Sequence, residues 1–356
     1  MEFKLSPKAA EYSARLQKFM DEKVIPAEAV FHHQRAELVA AGKPHDLPAI
    51  VETLKADAKA QGLWNLFLPH SHDPHHGLTV TDYATLAEIT GWSVEIAPEA
   101  INCSAPDTGN MEVLERVGTP AQKKEWLEPL LQGEIRSAFA MTEPDVASSD
   151  AKNIATTAVL DGDEWLINGE KFYISGAGDP RCKIMIVMVM TSPDGPPHRR
   201  QSQILVPMNA PGVEILGAMH VFGEDDAPHG HMHLRFNDVR VPKENILLGE
   251  GRGFEISQVR LGPGRIHHCM RSIGAAERAL ELMVRRGLHR EAFGKPLTRL
   301  GKNPEVIAKA RIEIEACRLM VLRAAKAMYT LGNAEARVWV SAVKAMVPQR
   351  VCQIID

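Results

Sequence analysis

Apolar residues recur at helical spacing toward both ends of the chain and at strand spacing in its middle. Near the start, Ser6-Pro7 reads as an N-cap followed by proline at the first helical position. The amphipathic run it opens continues to Lys23, where Val24-Ile25-Pro26 is expected to stop it. Residues 47–61 repeat the helical pattern and end at Gly62. Thr119-Pro120 opens another helix, with Trp126, Leu127, Leu130 and Leu131 as its buried side and Gly133 as its terminator. From about 137 to 245 the period changes. Asp161-Gly162 and Asn168-Gly169 each read as a hairpin turn, flanking Trp165-Leu166-Ile167. Residues 183–190 and 203–206 read as buried strands, and the prolines in 193–197 and 207–211 mark connections between them. Helices return from Gly249. Ala310, Ile314, Cys317, Val321, Ala324, Met328 and Leu331 alternate spacings of four and three, the seam of a helix bundle. Gly332-Asn333 ends that helix, and a last one starts near Glu335 and runs through Pro348 to Asp356.

The pattern predicts an α+β multidomain chain: an all-helical domain over 1–136, a β-barrel or sandwich over 137–245, and a helical bundle over 246–356. A length of 356 residues agrees, being too great for most single cores. A net charge of −4 gives no basic footprint for nucleic acid and no polybasic membrane anchor. No apolar run is long enough to span a bilayer, and the first residues lack a signal-peptide core. The five cysteines are odd in number, far apart and without a C-x-x-C, which argues against a disulfide framework or structural zinc and for a reducing compartment.

Two segments carry the candidate chemistry. Residues 139–150, FAMTEPDVASSD, begin apolar, turn at Glu143-Pro144, and continue with small or acidic residues apart from Val146. Small side chains let backbone approach a flat ligand, and the hydroxyls of Thr142, Ser148 and Ser149 can donate to flavin oxygens or a pyrophosphate. Residues 168–178, NGEKFYISGAG, place Tyr173 two residues before Ser175, so on a strand one ring and one hydroxyl share a face. Either segment alone reads as a strand end with a polar turn; together, in this order, they read as a flavin cradle. Among the histidines, His229, His231 and His233 alternate as metal ligands on a strand do, but Asp225, Asp226 and Pro228 before them suggest a loop entering an edge strand. His70, His72, His75 and His76 sit in a proline- and glycine-containing loop, and no metal is expected. His267 and His268 are candidates for an active-site wall or for a satisfied helix histidine.

With these two segments in its β part, the α-β-α order resembles the acyl-CoA dehydrogenase family over essentially the whole chain. The likeness is greatest to dehydrogenase domains that follow a kinase-like domain in some larger members. Three more segments support it: ILVPMNAPGV at 204–213, ILLGEGRGFEISQVRLGPGRIHHCMRSIG at 246–274 and HREAFGKPL at 289–297. The resemblance implies FAD as cofactor, with Phe139, Met141 and Thr142 against the isoalloxazine ring. It implies Ser148 and Ser149 between flavin and acyl-CoA, and Tyr173, Ile174 and Ser175 as the wall behind the ring, where most members carry Trp-Ile-Thr. Arg290 and Phe293 are expected to reach the FAD of a neighbouring subunit in a homodimer or homotetramer; the bland reading of Arg290 is a solvated helix end.

The implied reaction removes an α-proton from an acyl-CoA while a β-hydride passes to the flavin. Its product is a trans-2-enoyl-CoA, with electrons leaving to an electron-transfer flavoprotein, as in fatty acid β-oxidation. Arg265 matches a family arginine beside which a minority of members place the base; here that neighbour is Gly264. Most members place the base near the C-terminus, so no catalytic carboxylate is visible and one is expected beyond Asp356. The abrupt end of an amphipathic helix favours an incomplete chain, and the glycine-rich stretch that meets the pyrophosphate is missing for the same reason. Leu300-Gly301 also stands where many members carry a polar pair. Alternatives are a related flavin oxidase acting on an acyl-CoA or nitroalkane, and an inactive flavin- or thioester-binding subunit. A bacterial member is expected in the cytoplasm, a eukaryotic one in the mitochondrial or peroxisomal interior. Acyl specificity depends on where Trp92, Ile101, Asn102 and Met111 lie.

Overall fold

A computed structural model describes residues 5–68 and 78–356, apart from the side chains of residues 259 and 261; the histidines at 70, 72, 75 and 76 lie outside the described residues. Helices come first: α1 (Pro7–Phe19), α2 (Ile25–Ala40), α3 (Ala49–Ala60), α4 (Val80–Thr90), the single turn α5 (Ala97–Ala100), α6 (Asp107–Val117), α7 (Pro120–Gln122) and α8 (Glu128–Gln132). The caps follow the sequence. Ser6 Oγ accepts from Ala9 N at 3.0 Å, and Thr119 and Gln122 form a reciprocal capping box. Pro26, however, does not stop its helix. Met20–Val24 forms a π turn in which Ile25 N–H reaches back to Met20 O, and the helix resumes through Pro26 to Ala40. The same device recurs at Lys123–Leu127, just before Pro129. In both places the wider turn skips one hydrogen-bond register where proline has no N–H to contribute.

The chain divides into two units, one made of residues 30–50 and 104–261 and the other of 1–29, 51–103 and 262–356. The first holds a seven-stranded sheet of β1 (Arg136–Ala140), β2 (Thr157–Asp161), β3 (Glu164–Ser175), β4 (Cys182–Met190), β5 (Gln201–Pro207), β6 (Val213–Ala218) and β7 (His231–Pro242). The order is β1-β4-β2-β3-β7-β6, with β5 paired to β4. The apolar run of β4 is buried along nearly its whole length, flanked by β1 in parallel and β5 antiparallel. Trp165, Ile167, Met185, Val187, Leu234 and Phe236 contribute to its core.

Asp161-Gly162 is a hairpin turn, with Gly162 at φ +65°. Asn168-Gly169 is not. It lies inside β3 at a bulge against β7, where Gly169 at φ +146° passes so close to Thr156 that a Cβ would meet its Oγ1 at 2.6 Å. β7 is also not an edge strand; β3 and β6 flank it.

After the sheet come α9 (Gly253–His289), the hairpin β8 (Glu291–Ala292) and β9 (Lys295–Pro296), α10 (Asn303–Leu331) and α11 (Asn333–Ile355). The predicted seam of α10 is buried from Ala310 to Met328. Leu331 is instead 59% exposed, since Gly332 breaks the helix directly after it and leaves no further turn to cover it. Within the second unit α4 ends against α9 at two glycines, Gly91 and Gly274, and Arg278 forks onto Glu28 at 2.5 and 2.6 Å. The architecture is therefore a helical N-terminal part, a β-sheet middle and a helical C-terminal part.

Candidate functional site

The two singled-out segments meet in the sheet unit. Where the chain leaves β1, Thr142 O accepts from Phe172 N at 3.0 Å and Thr142 Oγ1 donates to Phe172 O at 2.6 Å. The turn that follows closes on itself: Glu143 N donates to Ser148 Oγ at 2.8 Å, and that hydroxyl donates to Glu143 O at 3.2 Å. Beneath the turn lies Lys171, completely buried, donating to Glu143 Oε1 at 2.7 Å, Met141 O at 2.9 Å and Met188 O at 2.7 Å. Glu143 also accepts from Ala155 N and Thr156 N at 2.7 and 2.9 Å. Burial pushes the Glu143 carboxyl up, but the Lys171 ammonium and the hydrogen bonds outweigh it and hold the group below the usual carboxylate range. Burial also holds the Lys171 ammonium well below its ordinary value.

The hydroxyl hydrogens of Thr142 and Ser148 are thus engaged within the cradle, and the Ser148 N–H is engaged there too, donating to Val146 O at 2.7 Å. Ser149 is exposed on the same turn. Met141 packs with Phe254 against a small cluster of Ala151, Ile154 and Met188.

On β3 the register slips between Lys171 and Ile174, and Tyr173 takes φ +54°. The bulge keeps Lys171 and Ile174 both in the interior and leaves Tyr173, 43% exposed, and half-buried Ser175 off the core. A left-handed backbone costs a residue with a side chain about 1 kcal/mol or more. Tyr173→Gly is therefore expected to leave unfolding free energy unchanged or higher in denaturant titration while weakening retention of a flat aromatic ligand. A clear loss of stability would instead make the ring a packing element. Ser175 Oγ lies 2.8 Å from His231 Nδ1.

Several residues behind β1 escaped the sequence reading. Asp107 accepts from Ser137 N and Oγ at 2.6 and 2.7 Å, and Asn110 Nδ2 donates to Ser137 Oγ and Ala138 O at 2.9 and 3.1 Å. Arg260 Nε donates to Asn110 Oδ1 at 3.0 Å and lays its guanidinium 3.9 Å from the Phe139 ring centroid. Burial pushes the Asp107 carboxyl up to about 7 and the Glu112 carboxyl up to about 8, and pulls Arg260 down to about 10. The available signal was the three-residue spacing of Asp107 and Asn110, which puts both on one helix face.

In the second unit, Arg265 is half-buried on α9, and nothing lies within 4 Å of the Cβ position of Gly264 before it. His267 is buried edge-on to Tyr83 at 4.6 Å, and burial drives its imidazole well below the ordinary value. His268 is exposed. Arg290 is exposed at the base of the β8–β9 hairpin, and Phe293 stands at its tip, 97% exposed with φ +52°. Ile101 and Asn102 are buried in this unit with Trp92 partly so, whereas Met111 belongs to the sheet unit. His231 and His233 take separate partners, the latter Glu170 at 2.8 Å. Among the described residues no three His, Cys, Asp or Glu side chains are grouped as metal ligands. No helix among them is long and apolar enough to cross a membrane.

Comparison with known proteins places this geometry in context. Sequence models described as the N-terminal, middle and C-terminal domains of acyl-CoA dehydrogenase match residues 6–134, 138–239 and 251–356. The chain is 53% identical over 356 residues to the probable acyl-CoA dehydrogenase FadE2 of Mycobacterium tuberculosis, covering 100% of this chain and 86% of that protein. It is 51% identical to mouse acyl-CoA dehydrogenase family member 10, covering 99% of this chain but only 33% of the relative's length. A solved structure of a putative acyl-CoA dehydrogenase from Mycobacterium abscessus superposes with a TM-score of 0.95 at 49% identity, covering 99% of this chain and 88% of that one.

Proposed function

Because the chain belongs to the acyl-CoA dehydrogenase family, we propose that it binds FAD where the 141–149 turn meets the β3 bulge and dehydrogenates an acyl-CoA to a trans-2-enoyl-CoA. The observation that carries the reading is the double hydrogen bond between Thr142 and Phe172, which ties the two segments into one surface. The residues there fit a flavin. Tyr173 offers an exposed aromatic face on a bulged backbone, Ser149 an exposed hydroxyl, and Ser175 a half-buried one. When bound, the flavin supplies the hydride acceptor.

The protein's own residues do the rest. Lys171 and Glu143 hold the Met141 carbonyl and the turn in place, so Phe139, Met141 and Thr142 present a fixed edge to the ring. Tyr173 and Ser175 are proposed as the wall behind it, with Ile174 contributing main chain while its side chain anchors the strand in the core. Ser148 braces the turn, Ser149 is proposed to face the thioester, and Arg265 is proposed as a substrate contact on α9. No residue of this chain is assigned the α-proton. Arg290 and the bare Phe293 ring are proposed to reach the FAD of a second subunit, and an exposed aromatic at a hairpin tip supports that role. We propose electron-transfer flavoprotein as acceptor on the family resemblance and, for a bacterial protein, the cytoplasm as compartment, with the mitochondrial or peroxisomal interior for a eukaryotic one. Purified protein is expected to release one FAD per chain on denaturation, and Phe293→Ser to lose flavin on dilution while keeping its unfolding midpoint. Protein that neither carries nor binds FAD would remove the proposal.

A further inference from the structure

Ala138 and Ala140 point into the core of the sheet, so Phe139 between them faces the opposite side. There the first turns of α9 bring Phe254 to Met141 and Arg260 to Phe139. The Arg260 side chain is held from three directions. Its guanidinium carbon lies 3.9 Å from the Phe139 ring centroid, and its Nε donates to Asn110 Oδ1 at 3.0 Å. Gly109 on α6 leaves a slot for it, where a Cβ would come within 3.1 Å of the guanidinium. What Arg260 lacks is a counter-ion. Among the described residues no carboxylate oxygen comes within 4.0 Å of it. The acids that act on it are Glu112 and Asp107, and burial pushes their carboxyls up to about 8 and about 7, so near neutral pH neither is a full negative charge. Arg260 itself is pulled down only to about 10 and stays charged.

We propose that Arg260 is a fixed, unneutralised cation set behind Phe139, and that its charge favours the reduced over the oxidised flavin. This rests on the flavin reading above. Accepting a hydride adds two electrons and one proton, so the ring gains one negative charge. A cation fixed nearby in a setting of low dielectric lowers the energy of that charge, and it does so without touching the ring. Phe139 suits the task as a spacer, because its π face holds the guanidinium in place without cancelling it. Arginine suits it as well, since a guanidinium keeps its proton under burial that would strip an ammonium. Lys171, the buried cation beneath the 141–149 turn, has no such effect to offer. Its charge is matched by Glu143 at 2.7 Å.

Midpoint potentials from dye equilibration test this. Arg260→Gln, which keeps a polar side chain without the charge, is expected to weaken reduced relative to oxidised FAD by about tenfold, equivalent to a fall of about 30 mV for a two-electron couple. Arg260→Lys, which keeps the charge, is expected to retain most of the wild-type potential. A side chain that merely staples α6 to α9 would leave both potentials unmoved or shift them equally, and either result overturns the proposal. A second reading needs no cofactor. Arg116 and Arg260 are the cations that hold the Glu112 carboxyl down against the effect of burial. In flavin-free protein the infrared carboxyl band of Glu112, identified by its loss in Glu112→Gln, is expected to titrate at higher pH in Arg260→Gln and close to its wild-type pH in Arg260→Lys. A titration that does not move in Arg260→Gln shows that the charge is cancelled where it stands, and also overturns the proposal. Protein that binds no FAD at all would instead defeat the flavin reading, leaving the infrared titration to judge the charge of Arg260 by itself.

Discussion

Lys171→Met is expected to destabilise the sheet unit by about 3–5 kcal/mol, the usual consequence of leaving one member of a buried ion pair alone. Lys171 is completely inaccessible, and its three acceptors are the Glu143 carboxylate and two main-chain carbonyls. Methionine fills much the same volume but answers none of them. A paired apolar replacement that also removes Glu143 should recover only part of the loss. The N–H groups of Ala155 and Thr156 would then lose their acceptor, at about 1–3 kcal/mol for each buried donor left unmade.

The pair has a pH signature. The folded-state pKa of Glu143 is depressed, so its stabilisation is full above the ordinary glutamate value of about 4.3 and is lost as pH falls through the lower folded value. The gap between wild type and Lys171→Met should therefore narrow on acidification. Denaturant titrations at neutral and acidic pH check both points. A variant as stable as wild type at neutral pH would mean that Lys171 is not the strut beneath the turn.

Gly274→Ala is expected to cost about 3 kcal/mol, the upper range for overpacking. A Cβ at Gly274 would sit 2.0 Å from the Glu88 carbonyl oxygen and 2.9 Å from Gly91 Cα, and one at Gly91 would meet Arg271 O at 2.1 Å. These neighbours are main chain, so neither helix can give way by a rotamer change. Alanine's better helix propensity returns only about 1 kcal/mol. Gly264→Ala, earlier in α9, is the control. Nothing lies within 4 Å of its Cβ, and it is expected to gain up to about 1 kcal/mol. Equal effects at both positions would show that propensity rather than close approach decides.

The sequence told most where the cause is local. Ser6, Thr119, Gly133 and Gly162 act through neighbours a few residues away, and their caps and turns are where the pattern predicts. Pro26 misled because a π turn upstream can absorb a proline, and nothing in the residue pattern announces that turn. Asn168-Gly169 misled because the same dipeptide suits a bulge, and the choice was made by Thr156, just before β2, pressing against it. The flavin segments were legible as motifs, but not the direction of their hydrogen bonds. Thr142 and Ser148 were read as donors to a ligand, yet Phe172 O and Glu143 O already take those hydrogens. Lys171 and Arg260 were invisible as site residues, since each matters only through partners that folding brings from other strands or helices.

The most direct test of the assignment is anaerobic addition of acyl-CoA thioesters, from short to long and including 4-substituted chains, to the native flavin-containing protein. At least one of them is expected to bleach the oxidised flavin spectrum and to be recovered as the trans-2-enoyl-CoA. A flavin that stays fully oxidised with every thioester, or that is bleached only by a nitroalkane, would contradict the assignment.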